Sequence, residues 1–133
     1  MTFPKYFTLE EARVSLPWLR NQLGDIAAAR QELLRLQPQM ESLLRAVRTN
    51  GHGDTDARLA ATRRAMEQVT ERLSRLAGEV QERGIILRDP QQGLVDFPSW
   101  RGGRVVFLCW VSGEVDITYW HDIDAGIAGR QPL

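Results

Sequence analysis

The feature that most constrains this chain is a pair of apolar heptad patterns separated by a short glycine-rich segment. The first pattern, with steps of four and three residues, contains Leu19, Leu23, Ile26, Arg30, Leu33, Gln37, Met40, Leu44 and Val47. The second alternates in the same way and contains Leu59, Thr62, Met66, Val69, Leu73, Leu76, Val80 and Arg83. Spacing of this kind is typical of long helices that pack along one face.

The two patterns pair with each other when the chain is folded about residues 48–57, a segment rich in Gly, Asp, Asn and Thr. The predicted layers are Val47–Leu59, Leu44–Thr62, Met40–Met66, Gln37–Val69, Leu33–Leu73, Arg30–Leu76, Ile26–Val80 and Leu23–Arg83. Every layer joins an a position to a d position, as an antiparallel helix pair requires. The sequence therefore predicts a long antiparallel, coiled-coil-like helical hairpin, which Pro38 kinks without breaking.

Local signals mark the ends of the helical part. Thr8 and Glu11 form a capping-box pattern, which predicts the start of a short helix. Pro17 suits the first turn of a second helix, so we expect a bend there. Gly84 occupies the position at which a glycine commonly ends a helix.

The pattern changes to β after Gly84. Extended segments are predicted at 85–87, 93–98, 104–111 and 115–121, and the last two are joined in a hairpin by 112–114. The tail, residues 122–133, is expected to be irregular. The predicted fold class is α+β, a helical hairpin followed by a small antiparallel sheet module. We expect a single domain over 1–133, with a helical part at 8–84 and a β-rich part at 85–133.

Composition narrows the classes of function. Basic and acidic residues balance at 17 each, so a nucleic-acid partner is not expected. No apolar run approaches the roughly 20 residues that span a bilayer, so no membrane association is expected. The single cysteine, Cys109, excludes an intramolecular disulfide. Together with an N-terminus that lacks a secretory pattern, it favours the cytoplasm. The usual enzyme motifs are absent, which favours a protein without catalytic activity.

The densest polar cluster is His121, Asp122 and Asp124, a set that could hold a divalent metal ion. In a continuing strand the two aspartates share a face and the histidine lies on the other. All three can bind one ion only if the strand ends at His121. The alternative is that His121 is bonded to backbone while an aspartate pairs with Arg130 and pins the tail. Arg130 is thus predicted to bind an anion or to clamp the tail.

Two further residues have chemistry that the sequence leaves open. Cys109 lies in an apolar run and is interpreted as a small buried hydrophobic residue. A catalytic thiolate would need a base, and His121 on a neighbouring strand is the one candidate. His52, between two glycines, is expected to be a solvated loop residue.

Several segments resemble a bacterial family, domain of unknown function 2203. They are Phe7-Thr8-Leu9-Glu10-Glu11-Ala12, Gly93-Leu94-Val95-Asp96-Phe97-Pro98, Leu108-Cys109-Trp110, Trp120-His121-Asp122 and Gly129-Arg130-Gln131-Pro132-Leu133. The resemblance covers nearly the whole chain. It implies a bacterial, cytoplasmic protein with helices before strands, and it implies no activity.

Three hypotheses for function follow. The first is a non-enzymatic interaction or ligand-binding homo-oligomer that associates through the first long helix. Its motivation is an apolar stripe widened by Ala29, Leu36 and Leu43 on one flank and by Ala27 and Leu34 on the other. The second is a metal- or anion-binding protein, with a divalent metal ion as the one cofactor that the sequence suggests. The third is a chaperone or adaptor with a protein partner.

Overall fold

The computed structural model describes residues 2–50 and 53–133, and its contacts divide the chain into two units. One unit consists of Met1–Asp25 and Ala77–Leu133, and the other is Ile26–Leu76. Long helices are followed by a five-stranded antiparallel sheet, so the predicted α+β fold is confirmed. The single-domain organisation stays a prediction.

The first helix begins where the capping box predicts. Helix α1 is Leu9–Val14; the Thr8 hydroxyl accepts from the Glu11 amide at 3.1 Å, and the Glu11 carboxylate accepts from the Thr8 amide at 2.9 Å. Helix α2 is Leu16–Asn50, so the chain changes helix one residue before Pro17. The reciprocal bonds satisfy two of the amides that a helix start leaves unpaired, which fixes the boundary.

The long helices extend into the segment that was predicted to be a loop. Helix α2 runs through Pro38 without a break to Asn50, and α3 is Asp54–Glu82, so residues 48–50 and 54–57 are helical and the predicted loop 48–57 was too long. Asp54 and Asp56 lie in the first turn of α3, where the helix dipole favours acidic side chains. Gly84 follows α3 with φ of +82°, and a Cβ there would lie 2.7 Å from Lys5 Cβ. The position therefore excludes a side chain for two reasons, backbone conformation and space. In the described residues no helix is both long and apolar enough to cross a membrane.

The core of the Ile26–Leu76 unit lies between α2 and α3, but in a different helix phase from the prediction. Its buried cluster is Ala29, Leu36 and Val69, with Leu33, Ala65, Met66 and Leu73 packed against it. Gln37, predicted to face α3, is exposed. Both phases have steps of three and four residues. The helix buries leucine in preference to the glutamine, whose amide would lose its hydrogen bonds to water.

This phase corrects the predicted exposure of the apolar stripe on α2. Leu36 is 6% exposed and Leu43 is 8% exposed, so this flank is covered within a single copy. Leu34, on the opposite flank, is 61% exposed. The reason given for self-association through Leu36 and Leu43 is therefore wrong, and self-association itself is untested.

The sheet is an antiparallel meander in the order β1-β2-β3-β4-β5. Its strands are Ile86–Asp89, Leu94–Arg101, Arg104–Val111, Tyr119–Asp122 and Gln131–Pro132. Strands β2 and β3 meet at Arg101 and Arg104 around a two-residue turn, Gly102-Gly103, with φ of +59° and +80°. Two consecutive residues with positive φ suit the twist of a tight hairpin, and only glycine takes both positions easily.

Two details of the sheet differ from the sequence prediction. Strand β4 begins at Tyr119, so residues 112–118 form a longer connection from β3 in place of a tight hairpin. The Glu114 carboxylate accepts from the Val111 amide at 2.7 Å, and Ile117 in this connection is fully buried. The tail is also more ordered than predicted, because it contains β5. These tertiary contacts override the β propensity of the connection.

Candidate metal centre

The strand register brings three polar side chains to one face of the sheet. Asp96 on β2 lies opposite Cys109 on β3, and Phe107 on β3 lies opposite His121 on β4. Side chains alternate between faces along a strand, so Asp96, Cys109 and His121 point to the same side. All three residues are buried, and one ligand atom from each lies within 4.8 Å of the others.

The Asp96 carboxylate lies between Arg88 and His121. Its Oδ2 accepts from Arg88 Nε at 2.9 Å, and its Oδ1 lies 2.9 Å from His121 Nε2. His121 Nδ1 lies 2.8 Å from the carbonyl oxygen of Asp122, which can only accept, so Nδ1 carries a proton. Nε2 is thereby directed at the Asp96 carboxylate.

Cys109 is fully buried beside this pair. Burial, with the nearby Asp96 carboxylate, raises the pKa of the thiol to about 12, although the Arg130 guanidinium opposes the shift. The residue is therefore a neutral thiol at neutral pH. Both ring nitrogens of His121 already have partners, so neither is free to take the thiol proton. The structure brings Cys109 and His121 together without the geometry of a thiolate nucleophile and its base.

A cleft of about 340 Å³ opens beside the pair. Its polar lining consists of Arg88, Asp96, His121 and Asp124. Its apolar lining includes Leu94, Ile123 and Ile127. Asp96 and His121 therefore face a small space with both charged and apolar walls, and Cys109 does not line it.

The structure separates the predicted metal ligands. The Asp122 carboxylate pairs with Arg104 at 2.7 Å, and strand alternation places it on the face opposite His121. Asp124 is exposed in the turn after β4 and lines the cleft. His121 and Asp124 thus share the cleft, whereas Asp122 points away from it. The ligand set His121, Asp122 and Asp124 stays a prediction, and His52 lies outside the described residues.

Arg130 makes contacts that hold the tail. Its guanidinium donates to both Glu114 oxygens at 2.6 and 2.9 Å and to the Cys109 carbonyl at 3.3 Å, and it lies 4.2 Å from the Tyr119 ring centre. Burial by itself lowers the pKa of Arg130, but the hydrogen bond to Glu114 and the neighbouring charges raise it overall. The carboxylate partner is a glutamate, where the sequence suggested an aspartate.

Two residues of the centre were not identified from the sequence. Asp96 is a lone carboxylate between Val95 and Phe97, in a strand that is otherwise apolar at its middle. A buried charge needs a partner, so this isolated acidic residue was the available signal. Arg88, its partner, lies on a different strand and carried no pattern of its own.

Comparison with known proteins identifies a family. The model of the family described as "Uncharacterized conserved protein (DUF2203)" matches residues 5–133. No curated protein and no solved structure matches the chain.

Proposed function

The chain belongs to the DUF2203 family of uncharacterised conserved proteins, and from its geometry we propose that it binds a divalent metal ion through Asp96, Cys109 and His121. The observation that supports this proposal is that a carboxylate oxygen, a thiol sulfur and an imidazole nitrogen from these three buried residues lie within 4.8 Å of one another. These are the three atom types that zinc accepts from proteins. Two of the three proposed ligands, Asp96 and His121, line an open cleft, which resembles a site that keeps one coordination position for a small molecule.

The distances suit a zinc-sized ion after small movements. Tetrahedral coordination with Zn–S near 2.3 Å and Zn–N near 2.0 Å separates neighbouring ligand atoms by roughly 3.3–3.6 Å. The ligand atoms here lie within 4.8 Å of one another, so a pair at that limit must close by roughly 1.2 Å, and the Nε2–Oδ1 pair at 2.9 Å must open by roughly 0.4 Å. Because each ligand stands on a paired strand, side-chain rotation supplies most of this adjustment.

Neighbouring groups support the same ligand set. His121 donates from Nδ1 to a backbone carbonyl, the bond that usually orients a metal-binding histidine. Arg88 holds Asp96 Oδ2, which leaves Oδ1 for the ion. The ion would replace the thiol proton of Cys109, because the thiolate is the form that binds metal. Metal binding is therefore expected to strengthen as pH rises.

The test is zinc titration of protein freed of metal by chelation, followed by calorimetry and melting temperature. We expect one zinc per chain and a higher melting temperature, since an ion that binds only the folded state stabilises it. Cys109→Ser and His121→Gln should weaken zinc binding about tenfold or more. Asp122→Asn and Asp124→Asn are matched controls that remove a nearby carboxylate and should retain it.

Three results would contradict this proposal. If zinc, manganese and iron leave the melting temperature unchanged and give no heat of binding, the protein does not bind a divalent metal ion. If Cys109→Ser and His121→Gln bind zinc as tightly as the wild type, the ion does not bind at Asp96, Cys109 and His121. Loss of binding in the Asp122 and Asp124 variants alone would restore the ligand set predicted from the sequence.

Self-association through α2 is a second proposal, now based on a different flank. Leu34 is 61% exposed, and Ala27, two turns earlier on the same face, is also exposed. A second copy would cover this narrow apolar strip. Sedimentation of wild type and of Leu34→Glu tests it: a dimer should dissociate in the variant, and a monomeric wild type excludes the proposal.

The buried free thiol of Cys109 is compatible with a reducing compartment, so the cytoplasm is our proposed location.

A further inference from the structure

We propose that the cleft beside His121 binds a small organic carboxylate, with Arg88 as the group that recognises it. The proposal goes beyond metal binding and does not depend on it, because Arg88 recognises the ligand whether or not an ion is present. It assigns the cleft a class of ligand, a small acid with an apolar part.

Arg88 is positioned for this purpose by two contacts. Its Nε donates to Asp96 at 2.9 Å, and its guanidinium lies 5.0 Å from the centre of the Phe107 ring. These contacts fix the plane of the guanidinium while 45% of the side chain remains exposed. The side chain also lines the cleft.

The terminal nitrogens of Arg88 are the donors left for a ligand. Within residues 2–50 and 53–133, the only polar contact of this side chain is the one that Nε makes to Asp96. A guanidinium presents its donors in a planar fork that matches the two oxygens of a carboxylate. Because Asp96 and Phe107 already orient the guanidinium, the Arg88 side chain loses little conformational entropy when a ligand binds.

The other walls favour an organic acid over an inorganic anion. Leu94, Ile123 and Ile127 contribute apolar surface to the cleft. An inorganic phosphate would leave that surface unused, whereas a small aromatic or aliphatic acid would cover it. The volume of about 340 Å³ is at the lower end for ligand pockets, which limits the ligand to a small molecule.

Asp124 opposes an anion in the same cleft. Its carboxylate is exposed and lines the cleft, and no ion pair joins it to Arg88 among the residues that the structure places. Removing this charge should therefore strengthen binding of a carboxylate, while removing the Arg88 charge should weaken it. Opposite effects from two residues of one cleft are difficult to produce by misfolding.

The experiment is isothermal titration of benzoate into chelator-treated, zinc-free protein, with inorganic phosphate as the competing probe. We expect benzoate to bind and phosphate to bind more weakly. Arg88→Gln should weaken benzoate about tenfold or more, since a charge-assisted hydrogen-bond pair is lost. Arg101→Gln is the matched control, because Arg101 stacks on Trp120 and does not line the cleft. It should leave the affinity unchanged.

A second pair of variants leaves Arg88 and Asp96 intact. Ile127→Asp adds a negative charge to the exposed rim and should weaken the binding of benzoate about tenfold. Ile127→Asn, whose side chain has the shape of aspartate without its charge, should bind benzoate clearly better than Ile127→Asp. Asp124→Asn should bind benzoate more tightly than wild type. Melting curves of all variants establish that the comparison is made between folded proteins.

Several results would overturn the inference. They are the absence of benzoate binding, equal binding by Arg88→Gln and wild type, equal binding by the two Ile127 variants, and phosphate binding tighter than benzoate. Failure of the metal proposal has a different signature, since zinc would then give no heat while benzoate still binds the zinc-free protein. The two proposals can therefore fail separately.

Discussion

The buried thiol of Cys109 predicts a specific loss of stability at alkaline pH. Burial, then the Asp96 carboxylate, raises the pKa of this thiol from the ordinary value near 9 to about 12. A raised pKa means that the folded state binds the thiol proton more tightly than the unfolded state. The resulting stability is fully present below pH 9 and is lost as pH rises from 9 towards 12.

The magnitude follows from the two pKa values. Ionisation of the thiol stabilises the unfolded chain by about 1.4 kcal/mol at pH 10 and about 2.7 kcal/mol at pH 11. The thiol of the folded protein remains mostly protonated at both pH values. Because Cys109 is the single cysteine of the chain, this loss of stability from thiol ionisation comes from one residue. Cys109→Ser removes the titration, and its hydroxyl is small enough to keep a donor towards Asp96.

The assay is urea denaturation of metal-free wild type and of Cys109→Ser at about pH 8 and about pH 10. Other groups titrate in both proteins, so the informative quantity is the difference between the two unfolding free energies. We expect that difference to shift by roughly 1–1.5 kcal/mol against the wild type between the two pH values. A difference that is independent of pH would refute the argument, because the thiol would then have the same pKa folded and unfolded.

The remaining predictions concern stability at neutral pH. Leu36→Ala should cost about 2–4 kcal/mol because the side chain is 6% exposed, whereas Gln37→Ala on the exposed face should cost less than about 0.5 kcal/mol; equal costs in urea melts would contradict the helix phase. Gly84→Ala should destabilise by about 1–3 kcal/mol through positive φ and contact with Lys5, while Gly24→Ala, with open space around it, should stabilise by about 0.5–1 kcal/mol. Glu114→Gln should weaken the hold on the tail, seen as faster amide exchange over 127–133; unchanged exchange would show that the Arg130 pair is dispensable.

The sheet register explains why the candidate centre could not be predicted. Asp96, Cys109 and His121 are separated by 13 and 12 residues along the chain and stand on three different strands. A shift of one residue in either pairing would send one of them to the opposite face. The pairing between β2 and β3 depends on the Gly102-Gly103 turn, where no hairpin was predicted. The local pattern around His121 therefore indicated one residue of the candidate centre and two of its neighbours in sequence.

The sequence by itself determined the features that depend on short-range physics. The Thr8 cap, the two long helices, the glycine after α3 and the change from helix to strand all follow from spacing and backbone preference within a few residues. Only the tertiary structure decided which of two adjacent helix phases is buried and which side chains meet across the strands. Both outcomes depend on burial against a partner distant in sequence, and heptad spacing on α2 is equally satisfied with Leu36 or Gln37 facing α3.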